Sequence, residues 1–209
     1  HVFIDANADP VKARKVVLDS KIDYPAVCNA LETLLVDCEL NPELLKKIME
    51  DLVQAGVEIR ACPDTQKKLE GHSQLEMGNA SEEDWKTEHL EMVLSVKTVA
   101  GLEEAIQHIN RYGSNHTDSI VTESREAAER FMNEVDSAGV FWNASTRFAD
   151  GFRYGLGAEV GVSTCKTHAR GPVGLEGMVI YKYKLYGSGQ GAGCYSKGER
   201  EFMHQPLET

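Results

Sequence analysis

The chain has 209 residues, a hydrophobic fraction of 42% and a charged fraction of 26%, which is ordinary for a globular protein with a buried core in one large or two small domains. Its net charge of −11 and its lack of a basic run argue against nucleic acid as a partner, because phosphate binding needs clustered lysine and arginine. No apolar stretch is long enough to cross a bilayer and no signal-peptide pattern opens the chain, so we expect no membrane association.

The cysteines and histidines argue against two kinds of site. The five cysteines are Cys28, Cys38, Cys62, Cys165 and Cys194. They are odd in number and include no C-x-x-C pair, which predicts free thiols in a reducing compartment instead of a disulfide framework or a zinc site. The seven histidines form no H-x-x-x-H or H-E-x-x-H pattern, so we expect no metal centre.

Strands and helices alternate along most of the chain, which predicts an α/β fold. Asp9-Pro10 and Asn41-Pro42 each fit an N-cap followed by proline in the first helical turn, while Gly56 and Gly113 each end a helix. In chain order we predict a strand at 2–5, a helix at 10–23, a helix from 29, a helix at 42–55, a strand at 57–61, a short helix at 65–69 followed by a loop to 83, a strand at 92–99, a helix at 102–112, a strand at 119–122, a helix from 124 and a strand at 140–142.

The composition changes after Ala144, where glycines recur and helical periodicity stops. We predict loops and short strands in this tract, and then an alternating strand at 179–186 with one solvated face. The predicted organisation is an α/β domain at 1–143, a glycine-rich segment with its strand at 144–187 and a tail at 188–209.

The segment around Cys28 carries the clearest chemical signal. Pro25 disfavours a helical conformation just before this segment, and Asn29 with Glu32 fits a capping box, so we predict a helix that starts directly after the cysteine. The residues that would share one face of this helix are Leu31, Leu34 and Leu35. A thiol at a helix N-terminus is favoured as a thiolate, and the free backbone N–H groups could stabilise an oxyanion. Cys28 is thus predicted to be a nucleophile; the alternative is a small buried core residue.

Three long segments resemble one family. They are Val27-Cys-Asn-Ala-Leu-Glu-Thr-Leu-Leu-Val36, the stretch from Val140-Phe-Trp-Asn-Ala-Ser-Thr-Arg to Gly161, and His168-Ala-Arg-Gly-Pro-Val-Gly-Leu-Glu-Gly177. Their sequence and order are similar to gamma-glutamyl phosphate reductase, also called glutamate-5-semialdehyde dehydrogenase, a branch of the aldehyde dehydrogenase superfamily. The resemblance runs from about Val2 to Gly187. It implies an aldehyde dehydrogenase-like catalytic α/β domain with a C-terminal strand extension for oligomerisation, in a homodimer or larger assembly.

The family resemblance implies a reaction. Cys28 would attack L-glutamyl 5-phosphate, release phosphate and form a thioester, which hydride from NADPH would reduce to L-glutamate 5-semialdehyde, with NADP as the other product, in proline biosynthesis. The other four cysteines are expected to be structural or surface residues.

The resemblance also implies where the substrate binds. A substrate with a carboxylate and a phosphate needs cations and backbone donors, which glycine-rich loops can supply. The substrate-binding candidates are Ser145, Thr146, Arg147 and Arg170. The alternative is that these arginines and Arg153 only pair with the carboxylates of Asp150, Glu159 or Glu176.

For the cofactor, Glu88 resembles the glutamate that binds the nicotinamide ribose in aldehyde dehydrogenases, although the phenylalanine-glycine-proline sequence of that family is absent here. Glu91 is the rival candidate, and a solvent-facing surface glutamate is the alternative. Two loop histidines, His116 and His168, are expected to make ordinary hydrogen bonds, with orientation of a substrate as the alternative.

The chain starts at His1, which we interpret as an internal start that lacks an N-terminal cofactor-binding half. The parent could be a stand-alone reductase or the C-terminal part of a bifunctional pyrroline-5-carboxylate synthase. We expect a cytoplasmic protein, or a mitochondrial one for a bifunctional eukaryotic parent. The competing hypotheses are an aldehyde dehydrogenase with another substrate and, for the isolated chain, an inactive oligomerisation module.

Overall fold

The computed structural model describes residues 1–70 and 75–203. Part of the loop predicted up to residue 83 and the end of the predicted tail therefore lie outside the described residues. The chain divides into two compact units, His1–Met178 and Val179–Thr209.

The first unit is built on a seven-stranded parallel sheet. Its strands are β1 Val2–Ile4, β2 Thr33–Asp37, β3 Glu58–Ala61, β4 Met77–Asn79, β5 Val93–Val99, β6 Thr117–Val121 and β7 Gly139–Trp142. They lie in the order β4-β3-β5-β2-β1-β6-β7, with β1 paired to β2 on one side and to β6 on the other. The α/β class predicted from the alternating elements is confirmed.

Helices connect the strands and cover both faces of the sheet. They are α1 Pro10–Ile22, α2 Pro42–Gln54, α3 Pro63–Lys68, α4 Leu102–Tyr112 and α5 Arg125–Glu134. One apolar core lies between the sheet and α1 with α2, and a second lies between the sheet and α4 with α5. Successive residues of β2 alternate between them, since Leu34 belongs to the first core and Leu35 to the second. Such a strand, buried on both faces, is typical of a parallel sheet.

The two helix starts predicted from Asp9-Pro10 and Asn41-Pro42 are confirmed. Asp9 accepts hydrogen bonds from the backbone N–H groups of Val11 and Lys12, and Asn41 caps α2 in the same way. Gly113 follows the last residue of α4, as its position in the sequence predicted.

The helix predicted after Cys28 is wrong. Residues 25–30 form turns, and the chain then enters β2. Leu31, Leu34 and Leu35 are completely buried because the strand is covered on both faces. A short apolar run of this kind has the same hydrophobic pattern in a buried strand and in a helix, which is why periodicity misled.

Two strand predictions also differ from the structure. The loop predicted before residue 83 contains the edge strand β4, which pairs with β3. The strand predicted at 179–186 forms no sheet within the described residues, and the side chains of Ile180 and Leu185 are each 97% exposed.

The glycine-rich tract forms small elements, as predicted. They are the 3₁₀ turn Thr146–Phe148, the antiparallel strands β8 Gly161–Ser163 and β9 Gly171–Val173, and a second 3₁₀ turn at Leu175–Met178. In the second unit, α6 spans Gly193–Ser196. None of the helices in the described ranges combines the length and the hydrophobicity that spanning a bilayer requires.

Candidate active site

Cys28, Glu88 and His116 lie just before parallel strands. Cys28 precedes β2, Glu88 precedes β5 and His116 directly precedes β6. Because the amino ends of parallel strands lie along one edge of a sheet, this topology brings together three side chains that are far apart in sequence.

The Cys28 thiol contacts a histidine. Its Sγ lies 3.2 Å from Nε2 of His116, within the reach of a sulfur hydrogen bond. Nδ1 of His116 lies 2.6 Å from Oγ1 of Thr117. Cys28 is exposed, whereas His116 is only 5% exposed. The structure therefore provides an accessible thiol, an imidazole and a hydroxyl in a hydrogen-bonded row.

Loss of contact with water has the largest effect on the pKa of both members of this pair, because His116 is buried and the sulfur of Cys28, although the residue is exposed, is partly enclosed. This loss raises the pKa of the Cys28 thiol, an effect that Glu159 and Glu88 reinforce, while a backbone hydrogen bond and Arg147 oppose it. Burial also lowers the pKa of His116. The thiolate-favouring helix terminus predicted for Cys28 does not exist, because the residue lies in a loop that leads into a strand.

A cleft of about 410 Å³ opens beside the thiol. It is lined by Cys28, Ala30, Glu32, Thr33, Trp85, Lys86, Thr87, Glu88, Tyr112, Gly113, Ser114 and Thr117, together with His1. Glu88 is exposed and makes no hydrogen bond or salt bridge with any residue that the structure describes. Glu91 is absent from the lining, so Glu88 is the better placed of the two candidate carboxylates.

Asn29 does not cap a helix. Its amide nitrogen donates to the backbone oxygen of Ala149 at 2.9 Å, and its side-chain oxygen accepts from Nη1 of Arg147. Arg147 also donates through Nε to Asp23 at 3.1 Å. The side chain of Asn29 thus connects the Cys28 loop to the 3₁₀ turn at Thr146–Phe148.

Two of the other substrate candidates are buried. Ser145 is 5% exposed and Thr146 is 1% exposed. The Ser145 hydroxyl accepts from the backbone N–H of Arg147 and from Oγ of Ser20, and Oγ of Ser20 accepts from the backbone N–H of Thr146. These contacts hold the turn that carries Arg147 against α1.

The remaining arginines have carboxylate partners other than the predicted ones. Arg170 binds the backbone oxygen and the carboxylate of Asp136, at 3.1 and 3.0 Å. Arg153 contacts Asp23 at 3.5 Å, so it shares that carboxylate with Arg147. The structure therefore places Arg147 and Arg153 together next to the Cys28 loop, and it gives Arg170 a different set of contacts.

Glu32 connects three parts of the site. It was predicted to complete a capping box, but the helix is absent. Its carboxylate instead accepts from Nζ of Lys21 at 3.0 Å and from the backbone N–H of Leu90 at 3.1 Å. Lys21 is completely buried, and Leu90 follows Glu88 by two residues with a positive φ of 54°. Glu32 thereby links α1, the strand after Cys28 and the segment that carries Glu88.

The sequence did not relate His116 to Cys28; it predicted an ordinary hydrogen bond for this histidine, with orientation of a substrate as the alternative. His116 lies 88 residues from Cys28, and no local spacing relates the two. The sequence prediction obscured this relation, because it placed a helix after Cys28, whereas in the structure both residues precede strands of the parallel sheet. Within the described residues, no group of three or more His, Cys, Asp or Glu side chains is arranged to hold a metal ion.

This architecture matches solved aldehyde dehydrogenases. The crystal structure of lactaldehyde dehydrogenase from Escherichia coli is similar to this chain with a TM-score of 0.54 at 17% identity, over 69% of this chain and 38% of that one. At this level of identity the likeness concerns the fold alone. The chain thus has the fold of part of an aldehyde dehydrogenase.

More similar relatives identify the family. The crystal structure of gamma-glutamyl phosphate reductase from Thermotoga maritima gives a TM-score of 0.83 at 41% identity, over 91% of this chain and 45% of that one. Gamma-glutamyl phosphate reductase from Acetivibrio thermocellus is 54% identical over 207 residues, 99% of this chain and 47% of the relative. No family model matches the chain. The chain belongs to the gamma-glutamyl phosphate reductase family, and it spans about half the length of the curated relatives it matches.

Proposed function

We propose that the protein containing this chain reduces L-glutamyl 5-phosphate to L-glutamate 5-semialdehyde, and that this chain supplies the nucleophile, Cys28. The observation that carries the proposal is the exposed Cys28 thiol at a cleft that is also lined by the unpaired carboxylate of Glu88. The relatives named above, gamma-glutamyl phosphate reductases, give the substrate its identity.

The first step concerns residues of this chain. Sγ of Cys28 attacks the acyl carbon, a C–S bond forms, and the bond from carbon to the phosphate oxygen breaks. The product is a thioester on Cys28, with phosphate released into the cleft. An acyl phosphate is a good substrate for a thiol because its leaving group is stable.

The substrate is anionic, and two guanidinium groups lie near the nucleophile. Arg147 and Arg153 share the carboxylate of Asp23, and Arg147 also contacts Asn29, the residue after Cys28. A carboxylate or phosphate of the substrate would compete with Asp23 for these donors. Ser145 and Thr146 contribute by holding the turn that carries Arg147, and we propose no direct substrate contact for their buried side chains.

Glu88 fits a nicotinamide cofactor, NADPH, because an unpaired carboxylate can accept hydrogen bonds from ribose hydroxyls. A bound nicotinamide supplies the hydride that reduces the thioester to the aldehyde. Glu88 would orient the ribose at the cleft that Cys28 also lines.

The segment Val179–Tyr186 supports self-association. Its apolar and aromatic side chains are exposed, and it has unused backbone hydrogen-bonding groups, so it can pair with a second copy of the chain. Light scattering should give the mass of a dimer or a larger assembly; a monomer at micromolar concentration would contradict this part of the proposal.

The test of the nucleophile compares Cys28→Ser with a matched control, Cys38→Ser, in the full-length protein. Cys38 is also an exposed thiol, but its side-chain contact is with Glu39. Phosphate-dependent oxidation of L-glutamate 5-semialdehyde, with NADP reduction followed by absorbance, runs the reaction in reverse and avoids the unstable acyl phosphate. We expect Cys38→Ser to keep its activity and Cys28→Ser to lose it.

Two results would overturn the proposal. Near-normal activity of Cys28→Ser would make Cys28 a packing residue. If the full-length protein is inactive on this substrate but oxidises other aldehydes, the aldehyde dehydrogenase fold still holds and the proposed substrate is wrong.

A further inference from the structure

We infer that His116 is a catalytic residue that accepts the proton of Cys28 when the thiol attacks its substrate. The inference rests on the proposed function for its substrate, and on the row Cys28–His116–Thr117 for its geometry. Sγ of Cys28 lies 3.2 Å from Nε2, and Oγ1 of Thr117 lies 2.6 Å from Nδ1.

The geometry defines the required tautomer. A thiol that gives its proton to Nε2 needs a lone pair there, so the ring hydrogen must be on Nδ1 and must be donated to Oγ1 of Thr117. The hydroxyl is correctly placed for this, on the residue adjacent to His116. Nucleophile, base and orienting group then form the three-member arrangement that activates nucleophiles in enzymes.

The surroundings of the pair explain why a base is needed. Burial raises the pKa of the Cys28 thiol and lowers that of the His116 imidazole, so it favours the neutral form of each group over the ion pair. The carboxylates of Glu88 and Glu159 raise the pKa of both groups, and the guanidinium of Arg147 favours the thiolate. Without a preformed thiolate, attack at neutral pH requires transfer of the proton as the bond to carbon forms.

The step balances. As the C–S bond forms and the carbon–phosphate oxygen bond breaks, the S–H proton moves to Nε2, which gives an imidazolium; the departing phosphate takes one proton from solvent. When the reduced adduct later releases the aldehyde, the C–S bond breaks and the imidazolium returns its proton to the thiolate. The two electrons that reduce the acyl group come from the nicotinamide.

A buried thiol elsewhere in the chain shows what a structural contact looks like. Cys62 is 7% exposed and its sulfur contacts the hydroxyl of Thr65 at 3.2 Å and the backbone N–H of Thr98 at 3.4 Å. Cys62 faces no imidazole in these contacts. Cys28 differs on both counts, because it is exposed and its side-chain partner is a base.

The test measures the reactivity of Cys28 and requires neither the acyl phosphate nor the nicotinamide. Iodoacetamide is applied at pH 7 to the full-length protein and to His116→Gln, and alkylation is followed by mass spectrometry. Trypsin releases residues 22–46 as one peptide that contains both Cys28 and Cys38, so Cys38 is the internal standard. We expect the ratio of Cys28 to Cys38 alkylation to fall by roughly 10²-fold, the lower end of general-base effects.

Two further variants separate catalysis from structure. In His116→Gly, added imidazole should restore the alkylation of Cys28 and not change that of Cys38; a merely structural histidine would show no such rescue. Thr117→Val retains the histidine but removes the acceptor for Nδ1, and it should also slow alkylation. If His116→Gln does not fold, Thr117→Val decides.

Unchanged Cys28 alkylation in a folded His116→Gln protein, or no rescue by imidazole, would overturn the inference. Loss of activity in Cys28→Ser, with no effect of His116 on alkylation, would retain the proposed function while refuting the role of His116. Normal activity of Cys28→Ser, together with slower Cys28 alkylation in His116→Gln, would support the activation of the thiol by His116 and refute the proposed reaction.

Discussion

The buried ion pair between Lys21 and Glu32 allows a quantitative prediction. Lys21 is completely buried, whereas the Glu32 side chain is 16% exposed at the cleft. In Glu32→Gln, the ammonium group loses its counter-charge but stays buried. Removal of one partner of a buried pair costs about 3–5 kcal/mol, and the amide oxygen of glutamine still accepts a hydrogen bond, so we expect a loss of about 3 kcal/mol.

Replacement of the other partner, Lys21, should cost less folding stability. In Lys21→Met, the carboxylate of Glu32 keeps the backbone N–H of Leu90 as a donor and reaches water in the cleft. Methionine fills most of the space of the lysine stem with apolar atoms, so the expected loss is about 1 kcal/mol or less. Glu32→Gln should therefore be the less stable variant, although it is the more conservative change.

The pH dependence provides a second measurement. Burial lowers the pKa of Lys21, and Glu32 opposes this effect, so the pKa falls further in Glu32→Gln. The unfolded chain then binds more protons than the folded one between that value and the ordinary lysine pKa, and stability rises with pH. The deficit of Glu32→Gln should shrink as the pH rises from 7 towards 10.

Thermal unfolding measures both effects. For a chain of this size, 1 kcal/mol corresponds to about 2–4 °C, so Glu32→Gln should melt roughly 6–12 °C below the parent and Lys21→Met within about 4 °C of it. The reasoning is refuted if the two variants have equal stability, or if Lys21→Met is the weaker one.

Two further predictions concern Asp84 and Glu88. Burial opposes the ionisation of Asp84, but hydrogen bonds from Ser81 and the Arg60 guanidinium outweigh it and hold the pKa of Asp84 at about 2, below the ordinary 3.8. This carboxylate contributes about 2 kcal/mol at neutral pH, and the contribution is lost as the pH falls from 4 through 2; urea titrations should show this loss in the parent but not in Asp84→Asn. Glu88→Gln should raise the KM for the nicotinamide about tenfold in the full-length protein, whereas its matched control, Glu91→Gln, should leave KM unchanged.

Local signals were sufficient to predict the two helices that begin with a capping residue and a proline. Asp9-Pro10 and Asn41-Pro42 combine a side-chain acceptor with a residue that suits the first turn, and both pairs begin helices in the structure. The α/β class followed from the alternation of such helices with apolar strands. These features depend on neighbours in the sequence, so the sequence contains the necessary information.

Predictions failed where distant parts of the chain decide the structure. Leu31, Leu34 and Leu35 fit a helix by spacing. In the structure, however, Leu34 and Leu35 lie in β2 and Leu31 lies in the segment before it, and the helices on both faces of the sheet bury all three. The alternation at 179–186 fits a strand, yet a strand requires a partner edge, and the described residues of this chain offer none there.

The candidate site illustrates the same division. Resemblance made Cys28, Glu88 and Arg147 candidates, because each lies in a recognisable segment. The contact of Cys28 with His116 and the link from Glu32 to Leu90 join segments 88 and 58 residues apart. Only the sheet order brings these segments together, and spacing cannot reveal it.

The interior position of β1 in the sheet has a consequence for synthesis of the protein. One edge of β1 pairs with β2, but the other edge pairs with β6, and Val2 meets Ser119, 117 residues later. At about 5–20 residues per second, a ribosome needs roughly 6–23 s to deliver that partner. Throughout this interval the edge of β1 that later pairs with β6 is open to other chains. Production of this domain should therefore depend strongly on chaperones and on the rate of translation.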